Sequence, residues 1–273
     1  MIPAAFEYVR AGSSEEAIAA LGEHGDDAKL LAGGMSLLPL MKLRLATPAV
    51  LVDIGRVEDL SYVRDGGDHL AIGALTRHRD LETSDILAEQ CGVLRSVASE
   101  VGDNQVRHRG TIGGSVAHGD PASDLPAALL ALDGTFVVRR PSGERTIPAA
   151  EFFQGFLETA LEPDELLTEI RVPKMPGAGF SYQKFQRRAQ DWAIVGALAI
   201  RNGDARVALV NMGSTPLRAA AVEQRLASGA SIADSAQQAA EGTDPPSDLN
   251  GSSEYREHLA RVLVQRALEA ASG

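Results

Sequence analysis

Apolar runs alternate along the chain with polar, glycine-rich and proline-rich punctuation, and each run predicts one element. SSEEAIAALGEHG predicts a first helix, opened by a capping box of Ser13 with Glu16 and stopped by Gly22 and Gly25. AKLLAGG is a short apolar strand ending in glycines. SLLPLMKLRLA follows as a helix, with Ser36 as N-cap, Pro39 in the first turn and Lys42 and Arg44 toward the end. Pro48 breaks it, and AVLVDI is a second strand, so the N-terminal part reads as strand, glycine turn, helix, strand.

SYVRDGGDHLAIGAL predicts a hairpin around Asp65-Gly66-Gly67, and TRHRDLETSDILAEQCGVLRSVASEVG is mostly helical. A second glycine pair, Gly113-Gly114, leads through a Pro/Asp-rich turn to a helix near Pro126–Leu132 capped by Ser123. A strand follows at Thr135–Arg139, and PSGERTIP closes another hairpin. The segment Lys174–Gly179, KMPGAG, is the best boundary by its Pro and Gly content. Beyond it FSYQKFQRRAQDWAIVGALAIRNGDARVALVNMG alternates like antiparallel strands, with a turn at Asn202-Gly203-Asp204 and Trp192 placed in a strand. The C-terminal part is helical, interrupted by the loop TDPPSDLNG. There is no repeat of solenoid length.

Composition narrows the function. With 273 residues, 44% hydrophobic and 23% charged, the chain suffices for one large domain or two moderate ones. Its net charge of −11 is the wrong sign for a nucleic-acid binder. The one cysteine, Cys91, can neither close an internal disulfide nor hold an iron–sulfur cluster. Its surroundings lack a base partner, so it reads as a packed helical thiol. The N-terminus lacks the basic and apolar regions of a secretion signal, and no apolar stretch approaches the roughly 20 residues of a membrane span. The expectation is a cytoplasmic protein.

Two segments carry candidate chemistry. Ala32-Gly33-Gly34-Met35-Ser36 fits neither the G-x-x-x-x-G-K-[ST] nor the G-x-G-x-x-G pattern. Glycines there let a backbone approach a ligand closely, and a helix start offers N–H groups to an anion; a plain strand–helix turn accounts for them too. Thr111-Ile112-Gly113-Gly114-Ser115 repeats the combination of glycines with hydroxyls. Two such loops together could cradle a diphosphate through backbone N–H groups and hydroxyls, or be unrelated turns. His118, Asp120 and Asp124 admit a metal site, although their spacing matches no strong metal motif; a turn organised by Asp120 before Pro121 is the competing account. Asp124 suits a second role, accepting hydrogen bonds from cofactor hydroxyls. Arg107, His108 and Arg109 read as a basic turn that could bias the field toward an anion. Trp192 is either core or an aromatic plate against a ring cofactor.

Four stretches, LAGGMSLLPLMKLRLATPAVLVDI, RGTIGGSVAHGDPASDLPAALLAL, FFQGFLETALEPDELLTEIRVP and NMGSTPLRA, resemble the FAD-binding medium subunits of molybdenum hydroxylases of the aerobic carbon monoxide dehydrogenase type. The resemblance runs from FEYVRA to EYREHLARVLVQRAL. It implies an α+β fold: an FAD-binding domain of the vanillyl-alcohol oxidase (PCMH) type at 1–175, in lobes of about 1–55 and 56–175. A smaller C-terminal domain with an antiparallel sheet and helices follows at 176–273. It further implies FAD with its pyrophosphate between the segments at 32–36 and 111–115, and Asp124, a backbone contact at Leu167, and Lys184 near the cofactor. Trp192 falls where related subunits carry a tyrosine that shields the isoalloxazine. Met35 stands where many members have His, Gln or Thr, which matters little if only the backbone N–H is used.

The implied function is electron transfer. A molybdenum cofactor on a large subunit and [2Fe–2S] clusters on a small one would feed FAD here, in a dimer of heterotrimers, with quinone or oxygen as acceptor. No side chain of this chain need be a catalytic acid or base, and no metal is expected on it. Peripheral association with the inner face of the membrane is compatible with this role. Two rivals are a stand-alone phosphate-ligand or nucleotide-binding module and a metal-dependent hydrolase using His118, Asp120 and Asp124. The substrate of the complex is not encoded in this chain.

Overall fold

A computed structural model describes residues 2–272. The N-terminal part builds a parallel three-stranded sheet from β1 (Glu7–Arg10), β2 (Ala28–Leu31) and β3 (Val50–Asp53), in the order β1-β3-β2. Helix α1 (Ser14–His24) starts where the capping pattern places it: the Ser13 side chain accepts from the Glu16 N–H. The reciprocal bond is displaced by one residue, because Glu16 Oε2 accepts from Gly12 N at 2.7 Å. Gly22 lies inside the helix, and Gly25 alone ends it. Helix α2 (Leu37–Leu43) ends in a left-handed Arg44, before Pro48. Strand β1, absent from the sequence-based elements, is largely exposed and is recruited by the ladder Glu7↔Val50 through Arg10↔Asp53 rather than by an apolar face.

The second lobe is a five-stranded antiparallel sheet in the order β4-β5-β10-β6-β7. Its strands are β4 (Val63–Asp65), β5 (His69–Gly73), β6 (Thr135–Arg140), β7 (Gly143–Pro148) and β10 (Leu166–Pro173). Between β5 and β6 run α3 (His78–Thr83), α4 (Asp85–Gln90), α5 (Gly92–Ser99), α6 (Asn104–Arg109), α7 (Ile112–His118) and α8 (Asp124–Ala131). The basic triplet Arg107-His108-Arg109 is therefore the last turn of a helix capped by Asp103, not an open turn. Cys91 is buried in the core of this lobe, as expected, but at the junction of α4 and α5 rather than inside a helix. Between β7 and β10 lie α9 (Ala149–Phe152) and a small hairpin, β8 (Phe153–Gly155) with β9 (Glu158–Thr159), whose tip exposes Phe156. β10 carries a bulge against β6 between Leu167 and Glu169, while on its other side the Thr168 carbonyl accepts from Ala74 N at 2.9 Å, one step beyond the Glu169↔Gly73 pair with β5.

The C-terminal sheet has the order β11-β12-β13-β14, from Gly179–Phe185, Val195–Asn202, Asp204–Val210 and Leu217–Arg218. Helices α10 (Ala220–Ala227), α11 (Ile232–Ala236) and α12 (Ser253–Ala270) follow. Residues 195–200 of β12 are buried throughout, which a one-faced strand would not show. Val195, Ala197 and Ala199 face the helices, whereas Leu198 and Ile200 join the core of the second lobe. Helix α8, buried on all sides, fills that junction. Trp192 lies in the connection between β11 and β12, not in a strand, and is 57% exposed.

Candidate functional site

The two glycine segments meet. A Cβ on Gly33 would overlap the carbonyl of Arg109, just ahead of the second pair. The absence of a side chain is thus required by the protein's own backbone. Gly113 is constrained likewise: a Cβ there would lie 2.6 Å from the Ala74 carbonyl oxygen. Arg77, whose guanidinium donates to the Arg109 carbonyl, reinforces the junction.

Both segments line one cavity of about 660 Å³, within the range of cofactor sites. Ala32, Gly33, Gly34, Met35, Ser36, Thr111, Gly113, Gly114, Ser115, Asp124, Leu167, Lys184 and Trp192 all line it. Ile112 does not; its side chain is fully buried and its N–H donates to Thr76 O at 3.0 Å.

The segments differ in what they offer. Residues 111–115 are not a loop: Thr111 is the N-cap of α7 and both glycines lie in its first turn. Their N–H groups are occupied. Gly113 donates to Ala74 O at 2.8 Å, Gly114 to Thr111 Oγ1 at 3.1 Å and Ser115 to Thr111 O at 3.0 Å. At 33–36, by contrast, no N–H has an acceptor among the described residues, and Gly34 is left-handed (φ 75°). Consecutive free N–H groups about a left-handed residue form an anion-binding concavity. Ser36 occupies the N-cap position of α2, but its side chain makes no capping bond.

Asp124 sits at the first turn of α8, 6% exposed, and its oxygens are already engaged. Tyr182 donates to Oδ1 and Lys184 Nζ to Oδ2 at 2.8 Å; Nζ also donates to Glu100 O at 2.8 Å. Burial pushes the Asp124 carboxyl up, against the pull of Lys184 and both hydrogen bonds. Burial, and then the neighbouring carboxylate, holds the Tyr182 phenol well above its ordinary range. Asp124 therefore anchors β11 to the cavity wall and has less capacity left for a cofactor hydroxyl than the sequence suggested. No sequence motif points to Tyr182, although it lies two residues from Lys184 on the same face of β11.

The hydrolase reading is not supported. Among the described residues, no three His, Cys, Asp or Glu side chains form a metal-binding group. Asp120 accepts from Ala122 N at 2.8 Å in a turn, and Asp124 is paired with Lys184. Trp192 stands at the cavity edge on a connection clamped at its base. Asn211 Nδ2 donates to Ala193 O at 2.8 Å, and the fully buried Arg256 donates to Ile194 O at 2.6 Å and to Asp248 at 2.8 Å.

Residues 4–175 match the family described as the FAD binding domain in molybdopterin dehydrogenase, and residues 180–271 match the CO dehydrogenase flavoprotein C-terminal domain. The chain is 43% identical to the carbon monoxide dehydrogenase medium chain of Hydrogenophaga pseudoflava, covering 99% of this chain and 98% of that one. It is 41% identical to the 6-hydroxypseudooxynicotine dehydrogenase complex subunit alpha of Paenarthrobacter nicotinovorans, covering 99% and 96%. Its fold superposes on a solved structure of carbon monoxide dehydrogenase from Hydrogenophaga pseudoflava lacking the Mo-pyranopterin moiety, with a TM-score of 0.96 and 43% identity over 100% of this chain and 99% of that one. The chain belongs to the family of FAD-binding medium subunits of molybdenum hydroxylases. It is accordingly the FAD-carrying oxidoreductase component of a heteromeric enzyme, with the α+β architecture expected. No helix among the described residues is long and apolar enough to cross a membrane.

Proposed function

We propose that FAD occupies the 660 Å³ cavity, its diphosphate against residues 32–36 and 111–115 and its flavin ring toward Leu167, Lys184 and Trp192. The observation that carries this placement is the set of N–H groups at 33–36 without an acceptor among the described residues, on the cavity that Thr111 and Ser115 also line. Those donors suit a diphosphate, which needs hydrogen bonds more than a specific base edge. Met35 then contributes through its backbone, so its thioether does not weaken the site.

When bound, FAD supplies the electron-carrying chemistry, accepting electrons from [2Fe–2S] clusters on a small subunit and passing them to an acceptor such as quinone or oxygen. This chain's residues bind and orient the cofactor. The 33–36 backbone and the hydroxyls of 111–115 take its charge, and the Asp124–Tyr182–Lys184 group fixes the wall beside it. Trp192 covers one side of the ring.

The large molybdopterin subunit completes the assembly, in a dimer of heterotrimers. The chain divides into an FAD-binding domain at 1–175, with lobes at about 1–55 and 56–175, and a C-terminal domain at 176–273. The family models, which leave 176–179 between them, support that division. The enzyme acts in the cytoplasm, with peripheral association at the inner face of the membrane. The deciding experiment is the flavin spectrum and stoichiometry of the purified complex. One FAD per chain, reduced on adding the complex's substrate, is the expected result. A colourless chain that takes up no FAD refutes the placement.

A further inference from the structure

We propose that His78 is a positioning residue of the cofactor site: its buried imidazole commits the Ser115 hydroxyl to donating a hydrogen bond into the cavity, toward an anionic oxygen of the diphosphate. The inference rests on the placement of FAD in this cavity.

His78 is the first residue of α3 and is 2% exposed. Its N–H donates to Gly110 O at 3.0 Å, and its ring lies so close to Gly110 that a Cβ there would come within 2.7 Å of Cδ2. Nε2 is 3.3 Å from Ser115 Oγ, whereas Nδ1 is buried with no partner among the described residues. The charged groups that act on the ring are Arg107 and Arg77. Burial first, and then these two cations, push the imidazole down to about 4, so it is neutral near pH 7.

A neutral imidazole carries one N–H. On Nδ1 it would be a buried donor with no acceptor; on Nε2 it meets Ser115 Oγ and leaves only a lone pair unpaired, the lesser cost. Ser115 Oγ then accepts from His78, and its single O–H must point elsewhere. A helical serine commonly donates to the carbonyl four residues back. Among the described residues Ser115 makes no such bond; the Thr111 carbonyl accepts from the Ser115 backbone N–H instead. Ser115 lines the cavity, so its proton is left for a ligand.

The test is a double-mutant cycle on the full chain, in its complex where it assembles into one, with FAD removed and titrated back at pH 7. His78→Leu should weaken FAD binding about tenfold, the worth of one hydrogen bond to a charged group. Ser115→Ala should do the same, and the double variant should be no weaker than Ser115→Ala alone. His78→Gln, whose amide restores a donor near Nε2, should bind within about threefold of wild type. The thermal midpoint of the flavin-free chain, measured in parallel, identifies a variant that fails to fold. Additive losses in the cycle, or His78→Gln folding as well as wild type yet binding no better than His78→Leu, would overturn the proposal. A wild-type chain that takes up no FAD would overturn the site placement and this inference with it, whereas wild-type binding with additive losses overturns this inference alone.

Discussion

Residues 32–36 and 111–115 look alike in sequence, each a glycine pair with a serine one or two residues on, but they are built in opposite ways. The first is a bend whose N–H groups have no protein acceptor among the described residues. The second is a capped helix start whose N–H groups from Ile112 to Ser115 are taken by Thr76, Ala74 and Thr111. One is an open set of donors and the other a rigid support that adds hydroxyls. Equal motifs therefore need not mean equal roles, and the difference is decided by where each backbone N–H is spent.

The largest expected effect comes from forcing the two apart. Gly33→Ala drives a methyl into the Arg109 backbone, which cannot yield as a side-chain end would. It should cost about 3 kcal/mol of stability, the upper part of the usual overpacking range, and abolish FAD retention. Denaturant unfolding of the flavin-free chain and flavin stoichiometry check both. Gly33→Asp should be no milder, since it adds a negative charge beside the diphosphate. Wild-type flavin content in either variant would mean that the segments do not depend on this contact.

A pH effect of similar size bears on the second segment alone. The His78 pKa is depressed from 6.5 to about 4, so the folded state resists a proton that the unfolded chain accepts. Its contribution is complete above pH 6.5 and is lost as pH falls toward about 4, by about 3 kcal/mol in all. Unfolding free energy against pH should show this slope in wild type and lose it in His78→Leu. An unchanged slope in the variant would assign the acid sensitivity elsewhere.

Thr111→Ala removes a real cap and should cost about 1 kcal/mol, read from the shift in denaturant midpoint. Ser36→Ala, at a cap position with no capping bond, should cost no more than a few tenths, about 0.3 kcal/mol. Equal losses at Thr111 and Ser36 would erase the distinction between the two segments.

The unit from Ala28 to Asp53 was legible in the sequence because every signal there is local: glycines after a strand, a proline in the first helical turn and another past its end. The second segment reads as a loop in sequence because glycine has low helix propensity. Helix α7 forms there through the Thr111 cap and the carbonyls of Ala74 and Thr76, distant in sequence. The cavity residues were legible through the family resemblance, as were the partner subunits. The engagement of Asp124 by Tyr182 was not, since it joins β11 to the first residue of a helix far earlier in the chain. The alternation of the segment predicts a strand at Trp192, but the connection carrying it is held by Asn211 and Arg256, which no local pattern links to it.

The Asp124–Lys184 pair also sets an order of events during synthesis. Both glycine segments are made well before Lys184, and until β11 is in place the Asp124 carboxylate has neither of its side-chain partners. A chain ending short of Tyr182 therefore has the 33–36 bend beside an unfinished wall, with a carboxylate that is costly to bury alone. The cavity wall is therefore finished only by a strand that lies beyond the 4–175 family match.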